Sequence, residues 1–301
     1  MIKAFAKSVL QGMITRVRGQ LDWWDREMQR EHMERRDYDR DDLVQPWLTY
    51  QTERVLSLGA GKCRPNYTWP VVQAAYLAKA LGHTRISVIE FGVAGGNGLL
   101  ALERAAEIIE SLFGVAIDVY GFDSGRGLPK PVDYRDLPHF WKESFYKMDE
   151  KRLKKRLRRS HLVIGPVDET VRRFLKSKPA PVGFVSFDLD YYSSTAQAFK
   201  LLLAEHSLLM PRIHCYFDDI MGLTHSEFTG ERLAIREFND THEFKKITPI
   251  PGLHYFLPPQ YGHEPWPEQM FLCHLFDHPM YTHYDGIHKE RNRTQLDLQD
   301  D

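Results

Sequence analysis

Apolar and polar positions follow two alternating patterns along most of the chain. Short apolar runs predict buried strands, and segments with apolar residues three or four positions apart predict amphipathic helices. The strands are predicted at residues 86–91, 117–122, 161–164, 182–188 and 213–217, and the helices at residues 99–113, 149–159, 169–176, 195–206 and 231–240. Two later runs, 244–250 and 270–276, could add a closing pair of strands at one edge. This order predicts an α/β fold, a seven-stranded, mostly parallel, Rossmann-like sheet with helices on both faces.

The same patterns divide the chain into three parts. Residues 1–60 are predicted to form an N-terminal helical extension, residues 61–288 the α/β domain and residues 289–301 a polar tail. Within the domain, Pro70 predicts the start of an apolar helix that Gly82 ends. The N-terminal segment is basic and amphipathic. We favour a helix that packs on the domain or on a second subunit, and so expect a homo-oligomer, over a targeting or membrane-surface segment.

The composition disfavours several classes of protein. The 301 residues are 43% hydrophobic and 27% charged with a net charge of −1, so no overall field attracts nucleic acid or an anionic membrane. The basic run KRLKKRLRRS has Leu153 and Leu157 four positions apart, which indicates an amphipathic helix more than an RNA-binding segment. No apolar run approaches the ~20 residues of a membrane span, and the widely spaced cysteines fit a reducing compartment. We therefore expect a cytoplasmic protein with no nucleic-acid partner and no stable membrane insertion.

The stretch VIEFGVAGGNGLL predicts a strand, a tight glycine loop and a helix. Such a loop binds phosphate groups, dinucleotides or S-adenosylmethionine (SAM). The dinucleotide pattern G-x-G-x-x-G is poorly matched, because Ala94 and Asn97 stand at its second and third glycines. An acidic residue followed by G-x-G-x-G fits better, with Glu90, Gly92 and Gly96 in place and Ala94 as the one substitution.

This pattern predicts SAM as the cofactor. Glu90 at the end of the strand can hold the ammonium group, while the N–H groups of the loop and of the helix start can take the carboxylate. Asp123 ends the next strand, where a carboxylate can accept hydrogen bonds from both ribose hydroxyls of SAM or of NAD. The predicted contacts in the glycine loop are Glu90, Gly92, Ala94, Gly95, Gly96 and Asn97.

Four carboxylates end two further strands. FDLDYYSST carries Asp188 and Asp190, and YFDDI carries Asp218 and Asp219. Because ligands of open α/β sheets bind beyond the carboxyl ends of the strands, these four acids should converge there. Carboxylates in one crevice repel each other unless they are protonated or bind a cation, and oxygen ligands favour Mg²⁺ or a similar hard ion. The alternative is that some of them only cap the helices that follow.

Five motifs together resemble a known enzyme family. EFGVAGGNGL, FDSGRGLP, GPVDET, FDLDYYSST and YFDDI are similar in order and spacing to the metal- and SAM-dependent O-methyltransferases of the macrocin and novobiocin type, which methylate sugar hydroxyls in antibiotic biosynthesis. The resemblance covers residues 87–221. It implies that Asp188, Asp218 and Asp219 hold Mg²⁺ and that Asp190 is the general base.

The resemblance adds two residues to the expected cofactor site, Ser124 of FDSGRGLP and Asp168 of GPVDET. The leading hypothesis is therefore a Mg²⁺-assisted, SAM-dependent O-methyltransferase that acts on a small polyhydroxylated acceptor such as a sugar. The alternatives are a nicotinamide-dependent oxidoreductase on a doubly wound fold and a SAM-fold module that binds a partner protein without turnover. Histidines and aromatic residues crowd the C-terminal region, where we expect a wall or lid of the pocket.

Overall fold

The structure is a computed structural model that describes residues 44–222, 225–257, 261 and 263–283. The chain divides into two compact units, Gln45–Ile287 and a second one made of Met1–Val44 with His288–Asp301. Almost all of the second unit, and with it the predicted extension before residue 44 and the polar tail, lies outside the described residues. The boundary predicted at residue 60 stays a prediction.

Seven strands form one sheet in the described part of the chain. They are β1 (Arg85–Phe91), β2 (Ala116–Asp123), β3 (His161–Ile164), β4 (Val182–Phe187), β5 (Leu209–Phe217), β6 (Lys245–Pro249) and β7 (Met270–Leu275). Their order across the sheet is β3-β2-β1-β4-β5-β7-β6. The first five strands pair in parallel, and β7 runs antiparallel between β5 and β6. The predicted Rossmann-like α/β fold, including the late pair of strands at one edge, is confirmed.

Within the described residues, seven α-helices precede or connect these strands. They are α1 (Val44–Gly59), α2 (Pro65–Ala80), α3 (Asn97–Phe113), α4 (Glu150–Arg156), α5 (Val167–Lys176), α6 (Tyr192–Ala198) and α7 (Gly230–Thr241). Helices α2 and α3 pack on each other and on the central strands, while α5, α6 and α7 pack in series and contact β2 and β6. None of the helices among the described residues is both long and apolar enough to cross a lipid bilayer.

Two helix predictions differ from the structure. Helix α2 begins at Pro65 and contains Pro70 in its interior, so the predicted start at Pro70 was wrong. Pro65 occupies the first turn, where the missing N–H costs no hydrogen bond, and Gly82 follows the helix with a φ of 82° as an end signal should. The helix predicted at 195–206 starts earlier, at Tyr192, and gives way to a 3₁₀ turn at Phe199–Leu203.

The centre of the sheet is buried on both faces. Every residue of β4, and every residue of β1 after Arg85, is buried, and side chains of a strand point alternately to the two faces. Across the neighbouring strands β1, β4 and β5, the rings of Phe91, Phe187 and Phe217 stack in a row. Since these three residues are in register, the loops after the strands emerge together at one edge of the sheet.

Candidate active site

A cavity of about 860 Å³ lies at the carboxyl ends of the parallel strands. The loops after β1, β2, β3, β4 and β5 all contribute to its lining. This is the edge at which ligands bind in open α/β sheets. One cavity therefore brings together the glycine loop, the end of β2 and the acids that follow β4 and β5.

The glycine loop after β1 has a backbone that few other residues could adopt. Gly92 and Gly96 have φ values of 83° and 81°, and Ala94 also has a positive φ, 45°. A Cβ on Gly92 would overlap the carbonyl oxygen of Asp188. Gly92 and Ala94 line the cavity, and Gly96 is the N-cap of α3. Glycine is thus required here both for conformation and for close approach to the β4 loop.

Gly95 and Asn97, also predicted as cofactor contacts, are exposed residues. Gly95 lies in the loop and Asn97 at the start of α3. Neither residue is part of the cavity lining, and Gly96 is buried under Leu153. Their backbone N–H groups are at the N-terminal end of a 17-residue helix, where an anionic group is stabilised.

Glu90 lies beneath the glycine loop and is only 2% exposed. Tyr67 Oη donates a hydrogen bond of 2.6 Å to Glu90 Oε1, while Glu90 Oε2 is buried without a hydrogen-bond partner among the described residues. Burial raises the pKa of Glu90 to about 8, although the hydrogen bond from Tyr67 and the charge of Arg64 oppose the shift. The glycine at position 98 makes room for this arrangement, because a Cβ there would overlap Glu90 Oε1 and lie 2.9 Å from Tyr67 Oη. An unpaired, buried carboxylate oxygen fits a cationic group such as an ammonium.

Asp123 connects the first two loops of the site. Its Oδ2 accepts a hydrogen bond of 2.8 Å from the Ala94 N–H, and its Oδ1 accepts one of 2.6 Å from the Gly125 N–H. Ser124 forms a local turn, in which its hydroxyl donates to the Gly127 carbonyl at 2.7 Å. Asp123 and Ser124 both line the cavity, and Asp123 also holds the glycine loop in shape.

Three carboxylates form what we call the acidic cluster, Asp188, Asp190 and Asp219. One oxygen from each lies within 4.8 Å of the others. Asp190 and Asp219 are 6% and 9% exposed, so their charges repel in a largely desolvated setting. Burial, followed by the charges of Asp219 and Asp218, raises the pKa of Asp190 to about 8. Burial and Asp218 raise the pKa of Asp219 to about 7. The same causes hold the pKa of Asp188 well above its ordinary value.

A hard divalent cation fits this donor set, because such ions prefer carboxylate oxygens as ligands. Its positive charge would also relieve the repulsion between the three carboxylates. Asp218 also lines the cavity but points differently from its neighbour. It is exposed, and its carboxylate accepts a 2.7 Å hydrogen bond from Tyr216 Oη. The structure therefore brings together Asp188, Asp190 and Asp219, and leaves the side chain of Asp218 outside the group.

The backbone supports the acidic cluster. Asp190 has a φ of 60°, which is uncommon for a residue with a side chain. Its N–H donates to Asp219 Oδ2 at 3.1 Å, so the turn after β4 is tied directly to the turn after β5. A strained residue held by its surroundings is frequent at functional sites.

Asp168 does not reach the cavity. It lies in the first turn of α5, where its carboxylate pairs with Arg172 and Lys200. The neighbouring Gly165, Pro166 and Val167 line the cavity in its place. The motif GPVDET thus contributes its backbone and apolar side chains to the wall of the cavity, and the carboxylate of Asp168 faces the surface.

Several other residues of the site lie outside the motifs that the sequence analysis identified. Glu231, in the first turn of α7, is fully buried behind the acidic cluster, and Tyr67 of α2 is 2% exposed beneath the glycine loop. Residues 124–149 form a long loop between β2 and α4, from which Trp141 and Tyr146 reach the cavity. Its length alone could have indicated a functional loop. We expected the histidines and aromatic residues of the C-terminal region to form a wall or lid of the pocket. Among the described residues, however, no residue after Asp219 lines the cavity.

Comparison with known proteins gave distant structural likenesses. No protein-family model and no curated protein sequence matches the chain. The calicheamicin methyltransferase CalS11 is 22% identical, with a TM-score of 0.44 over 69% of this chain and 88% of its own. The O-methyltransferase NovP is 14% identical, with a TM-score of 0.43 over 56% of this chain and 68% of its own. MNMC2 from Aquifex aeolicus is 11% identical, with a TM-score of 0.32 over 68% of this chain and 61% of its own. At these values the likeness by itself assigns no activity.

Proposed function

We propose that this protein is a SAM-dependent O-methyltransferase that methylates a hydroxyl of a small polyhydroxylated acceptor, such as a sugar, with the help of Mg²⁺. One observation carries the proposal. The glycine loop shares one cavity with a cluster of three mutually repelling carboxylates. Beside that loop, the buried carboxylate of Glu90, which does not itself line the cavity, has one oxygen without a hydrogen-bond partner among the described residues. The loop with Glu90 suits the amino-acid end of SAM, and the cluster suits a cation beside the reacting hydroxyl.

In this proposal the glycine loop and the end of β2 bind the cofactor. Glu90 pairs with the ammonium group through Oε2, and the N–H groups at the start of α3 take the carboxylate. Asp123 and Ser124 face the ribose. When bound, SAM supplies the methyl group on a sulfonium centre. Because Glu90 is buried, its ionised form is costly unless a cation is nearby, which favours a positively charged group at this loop over the anionic pyrophosphate of a dinucleotide.

The acids after β4 and β5 carry the chemistry. Asp188 and Asp219 of the acidic cluster are proposed ligands of Mg²⁺, together with Asp218, whose carboxylate would have to leave Tyr216 to join them. When bound, the ion supplies positive charge that lowers the pKa of a nearby hydroxyl. Asp190 is the proposed general base, since its carboxylate lies within 4.8 Å of Asp188 and Asp219 and therefore beside the proposed ion. Asp190 takes the proton of the acceptor hydroxyl while that oxygen bonds to the methyl carbon and the carbon–sulfur bond breaks.

The loop at 124–149 is the proposed acceptor wall. Trp141 and Tyr146 both line the cavity. Partial burial, followed by the charges of Asp190, Asp219 and Asp188, raises the pKa of Tyr146, so Tyr146 lies within electrostatic reach of the acidic cluster. Aromatic side chains at this place suit the apolar face of a ring whose hydroxyls point at the acids.

The test combines binding with turnover. Calorimetry should show that SAM and S-adenosylhomocysteine bind and that NAD does not, and labelled SAM should transfer its methyl group to members of a sugar and polyol panel. Transfer should stop in excess EDTA and return with Mg²⁺. Binding of NAD without SAM would favour an oxidoreductase, and SAM binding without transfer to any acceptor would favour an inactive module.

Two wider expectations remain proposals. We propose a cytoplasmic location, which the three free cysteines Cys63, Cys215 and Cys273 support. We also propose a homo-oligomer, which light scattering of the purified protein would test.

A further inference from the structure

Glu231 is a buried carboxylate with no role in the scheme above. It lies in the first turn of α7 and is fully buried. It is not among the residues that line the cavity. Burial and the charges of Asp219 and Asp188 hold its pKa well above the ordinary value, and no cation among the described residues pairs with it. Because burial of a carboxyl group without a cation costs free energy, we expect Glu231 to have a structural or functional role.

The hydrogen bonds of Glu231 join the two turns that carry the acidic cluster. Oε2 accepts from the Asp219 N–H at 3.2 Å, in the turn after β5. Oε1 accepts from the Leu189 N–H at 3.4 Å, in the turn after β4, and lies 3.5 Å from Thr195 Oγ1. The bond from the Asp190 N–H to Asp219 makes a second link between the same two turns. One side chain thus sets the distance between backbone segments about thirty residues apart.

We propose that Glu231 is the positioning residue of the metal site, which holds the turns at 188–190 and 218–219 at the separation a divalent cation needs. This inference rests on the metal of the proposed function. It follows from the geometry because each ligand is attached to a turn, and the oxygens of Asp188 and Asp219 can meet one ion only if the two turns keep their spacing. Groups that orient metal ligands from behind contribute to metal affinity without contacting the metal.

The experiment measures binding of Mn²⁺ and of Mg²⁺ to the full-length protein by calorimetry, with SAM binding measured in parallel. Glu231→Gln keeps the size of the side chain but turns an amide N–H₂ towards one of the two backbone donors. We expect the metal dissociation constant to rise by about 10- to 100-fold, and the SAM dissociation constant to stay within about twofold. Glu231→Asp keeps the carboxyl group but is too short to reach both turns, and should also weaken metal binding, which covers the case in which the Gln variant does not fold.

Glu103→Gln is the matched control. Glu103 is also buried, 7% exposed, and its carboxylate accepts from the backbone N–H groups of Arg158, Arg159 and Ser160, away from the cavity. This variant should lower the melting temperature and leave metal affinity unchanged, which separates loss of stability from loss of positioning.

Each outcome has one meaning. The positioning role is overturned if the wild type binds metal and Glu231→Gln binds it with the same affinity. It is also overturned if Glu103→Gln weakens metal binding as much as Glu231→Gln does. In both cases the proposed function still stands. If the wild type binds neither ion, the metal of the proposed function fails and the inference fails with it.

Discussion

The pH dependence of SAM binding should report the state of Glu90. In the ligand-free protein its pKa is about 8, and the ammonium group of SAM can pair only with the ionised carboxylate. The ionised fraction is about a half at pH 8, about a tenth at pH 7 and about a hundredth at pH 6. Because apparent affinity scales with the competent fraction, the SAM dissociation constant should rise by nearly tenfold for each pH unit below about 7.

Tyr67→Phe is the perturbation that tests this reasoning. The 2.6 Å hydrogen bond from Tyr67 Oη to Glu90 Oε1 is buried, and it favours the ionised carboxylate. A hydrogen bond to a charged group contributes about 1.5–3 kcal/mol, and 1.4 kcal/mol is tenfold in affinity. The variant should therefore bind SAM about 10- to 100-fold more weakly at pH 8. Removal of the donor raises the pKa of Glu90 further, so the pH at which affinity levels off should move upward.

The assay is calorimetry of SAM binding from pH 6 to pH 8.5 for the wild type, Tyr67→Phe and Tyr120→Phe. Tyr120 is a suitable control, because it is a tyrosine of β2 that packs on His161 and Phe174 outside the cavity. SAM affinity that does not vary with pH, or that Tyr67→Phe leaves at the wild-type value, would refute the assignment of Glu90 to the ammonium group.

Four further results are expected. Gly98→Ala should lower SAM affinity at least tenfold while the fold persists, as circular dichroism can show, because its Cβ would overlap Glu90 Oε1. Asp190→Asn should keep metal binding by calorimetry but lower kcat by about 10²–10⁴, the usual contribution of a general base; unchanged turnover would exclude that role. Asp188→Ala should abolish the rise in Tm that Mg²⁺ causes by mass action in the wild type; a rise equal to that of the wild type would remove Asp188 from the metal site. The pKa values of Glu90, Asp190 and Asp219, about 8, 8 and 7, imply that the folded protein holds protons that the unfolded chain releases above about pH 4. Stability in EDTA should therefore fall as the pH rises from about 5 to about 8, and a Tm that rises over this range would contradict the raised values.

Much of the fold follows from local pattern. Strand β4 is an apolar run interrupted only by Ser186, and every one of its residues is buried, because a central parallel strand is covered on both faces. The prolines of α2 show where local signals are ambiguous. Pro65 and Pro70 are both acceptable at a helix start, and only the packing of the whole helix on the sheet decides that Pro70 lies inside it.

The glycine loop could be predicted in similar detail. Gly92 and Gly96 take the positive φ values that glycine favours, and Glu90 is the second-last residue of β1, just before the loop. The surroundings of Glu90, with one oxygen bonded to Tyr67 and the other without a partner among the described residues, could not be predicted, because Tyr67 comes from a helix more than twenty residues earlier. A hydrogen bond across that separation exists only once the helix is packed on the sheet.

The sequence by itself determined which segments form strands, that their carboxyl ends carry glycines and acids, and hence that those groups share one edge of the sheet. Tertiary structure alone decided which carboxylates meet. Asp168 and Asp218 also follow strands, yet the first pairs with surface cations and the second accepts a bond from Tyr216. Asp190 joins the cluster instead, and Glu231 arrives from a distant helix. The physical reason is that sequence spacing sets where a backbone segment ends, whereas the direction of a side chain depends on the φ of its turn and on neighbours brought near only by folding.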